Sequence, residues 1–213
     1  MIQIIDLGVN NISSLVESIR EVSGESPRVI YEAHEIAKPN LLILPGTGAF
    51  GEAARILESR GFTNVLSAWR QNKQGWLLGV CLGMQLLFET SEEDPGFLGL
   101  GLMSGHVRHL TGISSGSERV PHVGWSEVNR DDEKSFSWAP IDNGRDFYFS
   151  HSYAVEKIRT GVRDVMTTTF GTSQFVSGFR KDNVLGFQFH PEKSSSAGLQ
   201  LLRAVVEGAR RNA

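Results

Sequence analysis

Cysteine is nearly absent from this chain: its 213 residues contain one, Cys81. A lone thiol cannot close an internal disulfide or build a metal cage. That argues against a disulfide-stapled secreted protein and leaves the cytoplasm as the expected compartment. Excess charge is equally scarce. Lys and Arg number 21 against 24 Asp and Glu, a net of −3 at pH 7. Without a dense basic stripe, neither nucleic acid nor an anionic membrane is an expected partner. No apolar run approaches the roughly 20 residues that span a bilayer. The N-terminus, Met1-Ile2-Gln3-Ile4-Ile5-Asp6, lacks the basic segment of a signal peptide and reads as a first strand. Internal repeats and low-complexity linkers are missing too, so one domain over residues 1–213 is expected.

What is present alternates strand and helix in the first half. Ile2 to Ile5 is a β-rich run, followed by a turn at Gly8-Val9-Asn10-Asn11. Ile12, Leu15, Val16 and Ile19 then repeat with the period of an amphipathic helix, which Asn11 or Ser13 could cap. Strands are expected at Val29-Ile30-Tyr31 and at Asn40-Leu41-Leu42-Ile43-Leu44, the latter stopped by Pro45-Gly46. Helical signals cover about 50–59 and 62–72, and Trp76-Leu77-Leu78 leads to Cys81. Continuous apolar strands alternating with helices predict an α/β fold with an open, mostly parallel central sheet covered by helices on both faces. The second half adds strand-like runs at 107–110, 120–128, 147–153, 165–170, 175–179 and 185–189. Segments 112–118 and 129–146 read as surface loops, and Leu199, Leu202, Val205 and Val206 predict a closing helix.

The chemistry gathers around Gly79-Val80-Cys81-Leu82-Gly83-Met84-Gln85. Glycines two residues before and two after the cysteine mark a sharp strand-to-helix turn, a thiol version of the nucleophile elbow. At the start of a helix predicted over 82–89, backbone N–H groups favour a thiolate. Downstream, Phe189-His190-Pro191-Glu192 offers a base. Pro191 biases His190 toward an extended conformation, so Glu192 can hydrogen-bond the far ring nitrogen. Acyl transfer also needs oxyanion donors. The N–H of Leu82 is one candidate, and the loop Pro45-Gly46-Thr47-Gly48 is a second. Singly, each of these has a plainer explanation: a core thiol, a structural histidine, a solvated glutamate, an ordinary turn. Together they point to nucleophilic catalysis by sulfur.

These residues resemble the class I, or triad, glutamine amidotransferases, in Gly79-Val80-Cys81-Leu82-Gly83-Met84-Gln85 and in Gln188-Phe189-His190-Pro191-Glu192-Lys193-Ser194. The resemblance implies an open, flavodoxin-like α/β domain in which cysteine attacks the side-chain amide of glutamine, releasing ammonia and leaving a glutamyl thioester. Pro45-Gly46-Thr47-Gly48-Ala49-Phe50, Pro121-His122-Val123-Gly124-Trp125 and Phe149-Ser150-His151-Ser152-Tyr153 are most similar to the glutaminase subunits of imidazole glycerol phosphate synthases. Those subunits imply a heterodimeric partner, a (β/α)8-barrel cyclase. By motif position the resemblance assigns Cys81, His190 and Glu192 to the triad and Gly46, Thr47 and Gly48 to the oxyanion hole. It assigns Gln85, Glu93, Ser152 and Tyr153 to the glutamine substrate, and Asn11, Trp125 and Lys193 to the partner interface. No cofactor or metal is implied. The chain departs from the pattern at Leu7 and Val9, at Thr47, where valine is common, and at Ser126, where asparagine is typical.

Other functions remain open at this stage: a related glutaminase serving a different synthase, such as one in surface-sugar synthesis, a non-catalytic binding subunit, or a general cysteine hydrolase. The intact Cys-His-Glu set weighs against the second, and Gln85 with Ser152 and Tyr153 against the last.

Overall fold

The computed structural model describes residues 1–9, 11–69, 75–114, 118–130, 142–158, 162 and 164–211. In chain order, β1 (Ile2–Ile5), α1 (Ser13–Ser23), β2 (Arg28–Ile30), β3 (Leu41–Leu44), α2 (Phe50–Ser59), α3 (Phe62–Ser67), β4 (Trp76–Val80) and α4 (Leu82–Leu86) form the alternating half. The second half comprises β5 (Thr90–Ser91), β6 (His106–His109), α5 (Leu110–Ile113), β7 (His122–Arg130), β8 (Arg145–His151) and β9 (Tyr153–Val155). It closes with β10 (Asp164–Phe170), β11 (Ser173–Lys181), β12 (Val184–Phe187) and α6 (Ser195–Arg211).

The main sheet runs β2-β1-β3-β4-β12-β11-β10-β7-β8. From β2 to β12 every pairing is parallel, and from β12 outward the pairings turn antiparallel. Strand β9 joins this sheet through β11 and carries β6 and β5 with it. Side chains of an extended strand alternate between faces, and β3 shows what that does here. Leu41 and Ile43 enter the core beneath α1 and α6, while Leu42 and Leu44 enter the core beneath α2, α3 and α4. With both faces covered, all four positions of β3 must be apolar, which is why the strand reads as an unbroken hydrophobic run.

Several expected boundaries shift. The helix after Cys81 spans five residues, not eight, because Leu87 closes it and the chain turns toward β5. Leu110 opens α5 instead of ending a strand, with both Leu110 and Ile113 buried. Helix α1 starts without a side-chain cap at its own N-cap position; Asn11 Oδ1 instead accepts the Ser13 N–H at 3.0 Å. Helix α3 ends at Ser67, and residues 70–72 of that expected helix lie outside the described residues, as do Asn10, 115–117 and 131–141 of the expected turn and loops. Leu7, one of the departures noted above, is a fully buried core residue.

Candidate active site

Three neighbouring parallel strands end at the same edge of the sheet. Strand β3 runs into Pro45-Gly46-Thr47-Gly48, β4 delivers Cys81, and β12 leads through Gln188 and Phe189 to His190. Open α/β sheets place ligands beyond the carboxyl ends of such strands. Cys81 itself sits at φ 53°, ψ −113°, a left-handed conformation that costs a non-glycine residue on the order of 1–3 kcal/mol. The surroundings hold it there. The Cys81 N–H donates to Phe187 O at 2.7 Å, and Cys81 O accepts the first helical bond, from Gln85 N, at 3.1 Å. A methyl group on Gly83 would lie 1.8 Å from Leu44 O, so only glycine lets α4 press this closely onto the end of β3.

Glu192 meets the far ring nitrogen of His190 as the spacing predicts, by a slightly different route. His190 is extended at φ −98°, ψ 96°, but the chain then turns through a 3-10 segment at Pro191–Lys193 instead of continuing straight. This turn brings Glu192 Oε1 to 2.8 Å from His190 Nδ1. Both side chains are buried. Nδ1 is thus committed to the carboxylate and Nε2 faces the sulfur side. Burial alone would lower the His190 pKa. Hydrogen bonding with Cys81 and Glu192, and the negative charge of both, outweigh it and raise the imidazole to about 10. The ring therefore holds its proton at neutral pH when the sulfur beside it is charged. Nε2 nonetheless makes no well-aligned hydrogen bond. Catalytic contacts commonly tighten only around substrate.

The sulfur opens into a cleft of about 300 Å³ lined by Thr47, Gly48, Gln85, Glu93, His151 and Tyr153, among others. A larger cleft of about 750 Å³, near Glu156, Thr167 and Gln174, is lined by neither Cys81 nor His190. Glu93 is half-buried; its Oε2 caps α2 by accepting the Phe50 N–H at 2.8 Å, and burial raises its pKa despite that bond. Ser152 and Tyr153 line the same cleft, and the Tyr153 ring packs edge-on against His109. Gln85 Nε2 donates to Tyr153 O at 2.8 Å and to Gln188 Oε1 at 3.2 Å, which leaves its own carboxamide oxygen as the group it can offer a ligand.

One of the N–H groups expected to bind an oxyanion is already engaged. The Leu82 N–H donates to Gly46 O at 3.3 Å, so the expected donor is occupied by the very loop expected to help it. Because a trans peptide sets C=O and N–H in opposite directions, the Thr47 N–H points away from that bond.

The family called Glutamine amidotransferase class-I matches residues 3–207 of this chain. The chain belongs to that family. Among relatives of this amidotransferase, "Imidazole glycerol phosphate synthase subunit HisH" of Chlorobium luteolum is 39% identical over 207 residues, covering 97% of this chain and 100% of the relative. The protein of the same name from Bacillus cereus (strain G9842) is 41% identical over 214 residues, covering 97% and 96%. A solved "glutamine amidotransferase" superposes with a TM-score of 0.73 at 15% identity, covering 98% of each chain, and "PurLQS from Thermotoga maritima" with 0.71 at 15%, covering 97% of each. At that identity the two structures speak for the fold alone.

The amidotransferase cleft thus gathers Cys81, Leu82, Thr47, Gly48, Gln85, Glu93, Ser152 and Tyr153, with His190 and Glu192 behind the sulfur. Asn11, Trp125 and Lys193 stand apart from it and are exposed. Trp125 is 51% exposed and its strand neighbour on the same face, Val123, 57%. Sequence reasoning gave no role to Gln188 and His151. The signal was available, since each is a polar residue inside a motif whose neighbours are apolar or catalytic.

Among the described residues no helix is long and apolar enough to cross a membrane, and no His, Cys, Asp and Glu cluster has the makings of a metal site.

Proposed function

We propose that this chain is the glutaminase subunit of an imidazole glycerol phosphate synthase, a cytoplasmic single-domain protein that hydrolyses glutamine and passes ammonia to a (β/α)8-barrel cyclase. The observation that carries the chemistry is the convergence of a strained cysteine and a buried His-Glu pair at the ends of adjacent strands. Cys81 Sγ gives its proton to His190 Nε2 and attacks the side-chain carbonyl of glutamine. His190, steadied by Glu192, returns that proton to the departing nitrogen, and ammonia leaves behind a γ-glutamyl thioester. Water then gives a proton to His190 and attacks the thioester, and glutamate departs as sulfur is freed. Glu93 is suited to hold the α-ammonium of the substrate, and the Gln85 oxygen to accept a substrate N–H.

A turn of the Gly46–Thr47 peptide would do two things at once. It would release the Leu82 N–H from Gly46 O and aim the Thr47 N–H into the cleft, so two oxyanion donors would appear together. Gly48, at φ 107° with open space around its α-carbon, gives the loop freedom to turn. The exposed face of Val123 and Trp125 suits the docking of the cyclase. Trp125 pairs with Tyr148 across β7 and β8, and Tyr148 O accepts the His190 N–H at 2.9 Å, so docking there would reach the catalytic histidine through one strand pair.

The test mixes the chain with the cyclase subunit and its nucleotide substrate. Glutamate release should rise above that of the isolated chain. Cys81→Ala should abolish glutamine-dependent synthesis while synthesis from added ammonia persists. Absence of a complex and of stimulation would overturn the pathway, and full glutamine-dependent turnover by Cys81→Ala would overturn the chemistry.

A further inference from the structure

Gln188 is fully buried and its carboxamide lies against the nucleophile. Its Nε2 donates to Cys81 Sγ at 3.8 Å, and its Oε1 accepts from Gln85 Nε2 at 3.2 Å. The orientation of both amides follows from one fixed point. Tyr153 O is a backbone carbonyl and can only accept, so the group 2.8 Å from it must be the Gln85 NH2. The second proton of that NH2 is directed at Gln188, which must present its oxygen there. The Gln188 NH2 is then left facing sulfur. A chain of forced choices, beginning at a main-chain carbonyl on β9, ends with a hydrogen-bond donor on the reacting atom.

We propose that Gln188 is a further catalytic residue, whose carboxamide N–H sustains negative charge on Cys81 Sγ. A neutral thiol is a weak acceptor, whereas a thiolate accepts a charge-assisted bond about twice as strong as a neutral one. The contact therefore favours the sulfur in the two states that carry charge: before attack on glutamine, and at expulsion from the tetrahedral adduct formed by water. In the thioester between them the sulfur is neutral and the bond weakens. Gln188 transfers no proton; the thiol proton goes to His190 throughout. The opposite contact is made with Ser150 O, 3.9 Å from the Cys81 sulfur. That carbonyl can accept only from the protonated thiol, so it favours the neutral state. Gln188 and Ser150 thus act on the same equilibrium from opposite directions.

The inference rests on the glutaminase reading only in taking Cys81 as the nucleophile, and its test needs no glutamine. The rate of Cys81 alkylation by iodoacetamide, measured against pH, reports the thiolate directly. In Gln188→Met, similar in volume and without a donor, the midpoint should move up by roughly one pH unit, with alkylation about 10-fold slower below it. A buried amide serving only to satisfy Gln85 would leave the midpoint where it is, and an unmoved midpoint in a folded variant overturns the proposal. If Gln188→Met does not fold, the wild-type chain supplies the second measurement. With 15N-labelled glutamine, the Gln188 side-chain NH2 resonances should shift as Cys81 titrates and again on its alkylation; resonances indifferent to both overturn it. Lost glutaminase activity with an unchanged alkylation profile would overturn this role and leave the glutaminase reading standing.

Discussion

Two buried histidines, His151 lining the cleft and His190 beside its sulfur, titrate in opposite directions. His190 is raised to about 10 because Cys81 and Glu192 overcome the cost of burying its charge. His151 is lowered to about 3, by burial first, with His122 and His190 further opposing a positive charge on the ring. The hydrogen bonds around His151 also fix its neutral form. Its Nδ1 donates to Tyr153 O at 2.9 Å, so Nε2 must accept from His122 Nδ1 at 3.1 Å, and His122 Nε2 in turn accepts from the Ser126 hydroxyl at 2.9 Å. An unfolded His151 would take up a proton near pH 6.5 and the folded one only near 3. Its contribution to stability is therefore complete above about pH 6.5 and declines as pH falls toward 3, by at most about 1.4 kcal/mol per unit. His190 works in reverse, contributing fully below pH 6.5 and losing that contribution as pH rises through about 10. Denaturant unfolding between pH 7 and 4 should thus show a steeper loss of stability for the wild type than for His151→Gln. Parallel curves would show that His151 is not held neutral by the fold.

At the level of elements, the site depends on close approach between the loop after β3 and the turn after β4. A methyl group on Gly46 would lie 2.7 Å from Leu82 Cβ and 2.9 Å from Gly83 N, so Gly46→Ala must push the two apart. Misplacement of about 1 Å can cost roughly 10²-fold in rate. Gly46→Ala should lower glutamine hydrolysis by that order, while ammonia-dependent synthesis by the complex, which bypasses the cleft, stays near wild type. Equal glutamine hydrolysis by the variant would mean that the loop takes no part. The turn around Cys81 was readable in the sequence because Gly79 and Gly83 are needed for backbone contact, and β3 because burial on both faces demands unbroken apolar residues. The length of α4 was not readable. Leu86, Leu87 and Phe88 continue an apolar, helix-compatible pattern, and only tertiary packing turns them away. Nor could the sequence show the Leu82 N–H already bonded to Gly46 O, since main-chain hydrogen bonds between loops leave no mark in side-chain pattern.

Across the whole molecule, residues 46, 81 and 190 meet because β3, β4 and β12 are adjacent and parallel, although β12 is separated from β4 by a mostly antiparallel excursion through seven strands among the described residues. The motifs pointed to Cys81, His190 and Glu192, but that excursion also carries His151, Ser152 and Tyr153 back to the cleft, a consequence of topology that spacing alone does not reveal. The same excursion sets Trp125 on an exposed face one strand from His190, so the proposed docking face and the proposed base belong to one sheet. The most direct measurement of the central claim is covalent labelling by a glutamine analogue with an electrophilic carbon in place of the carboxamide. With the partner subunit present, one label per chain should appear on Cys81, slowed by added glutamine and matched by loss of glutaminase activity. Labelling at a different residue, or inactivation that leaves Cys81 unmodified, would contradict the account.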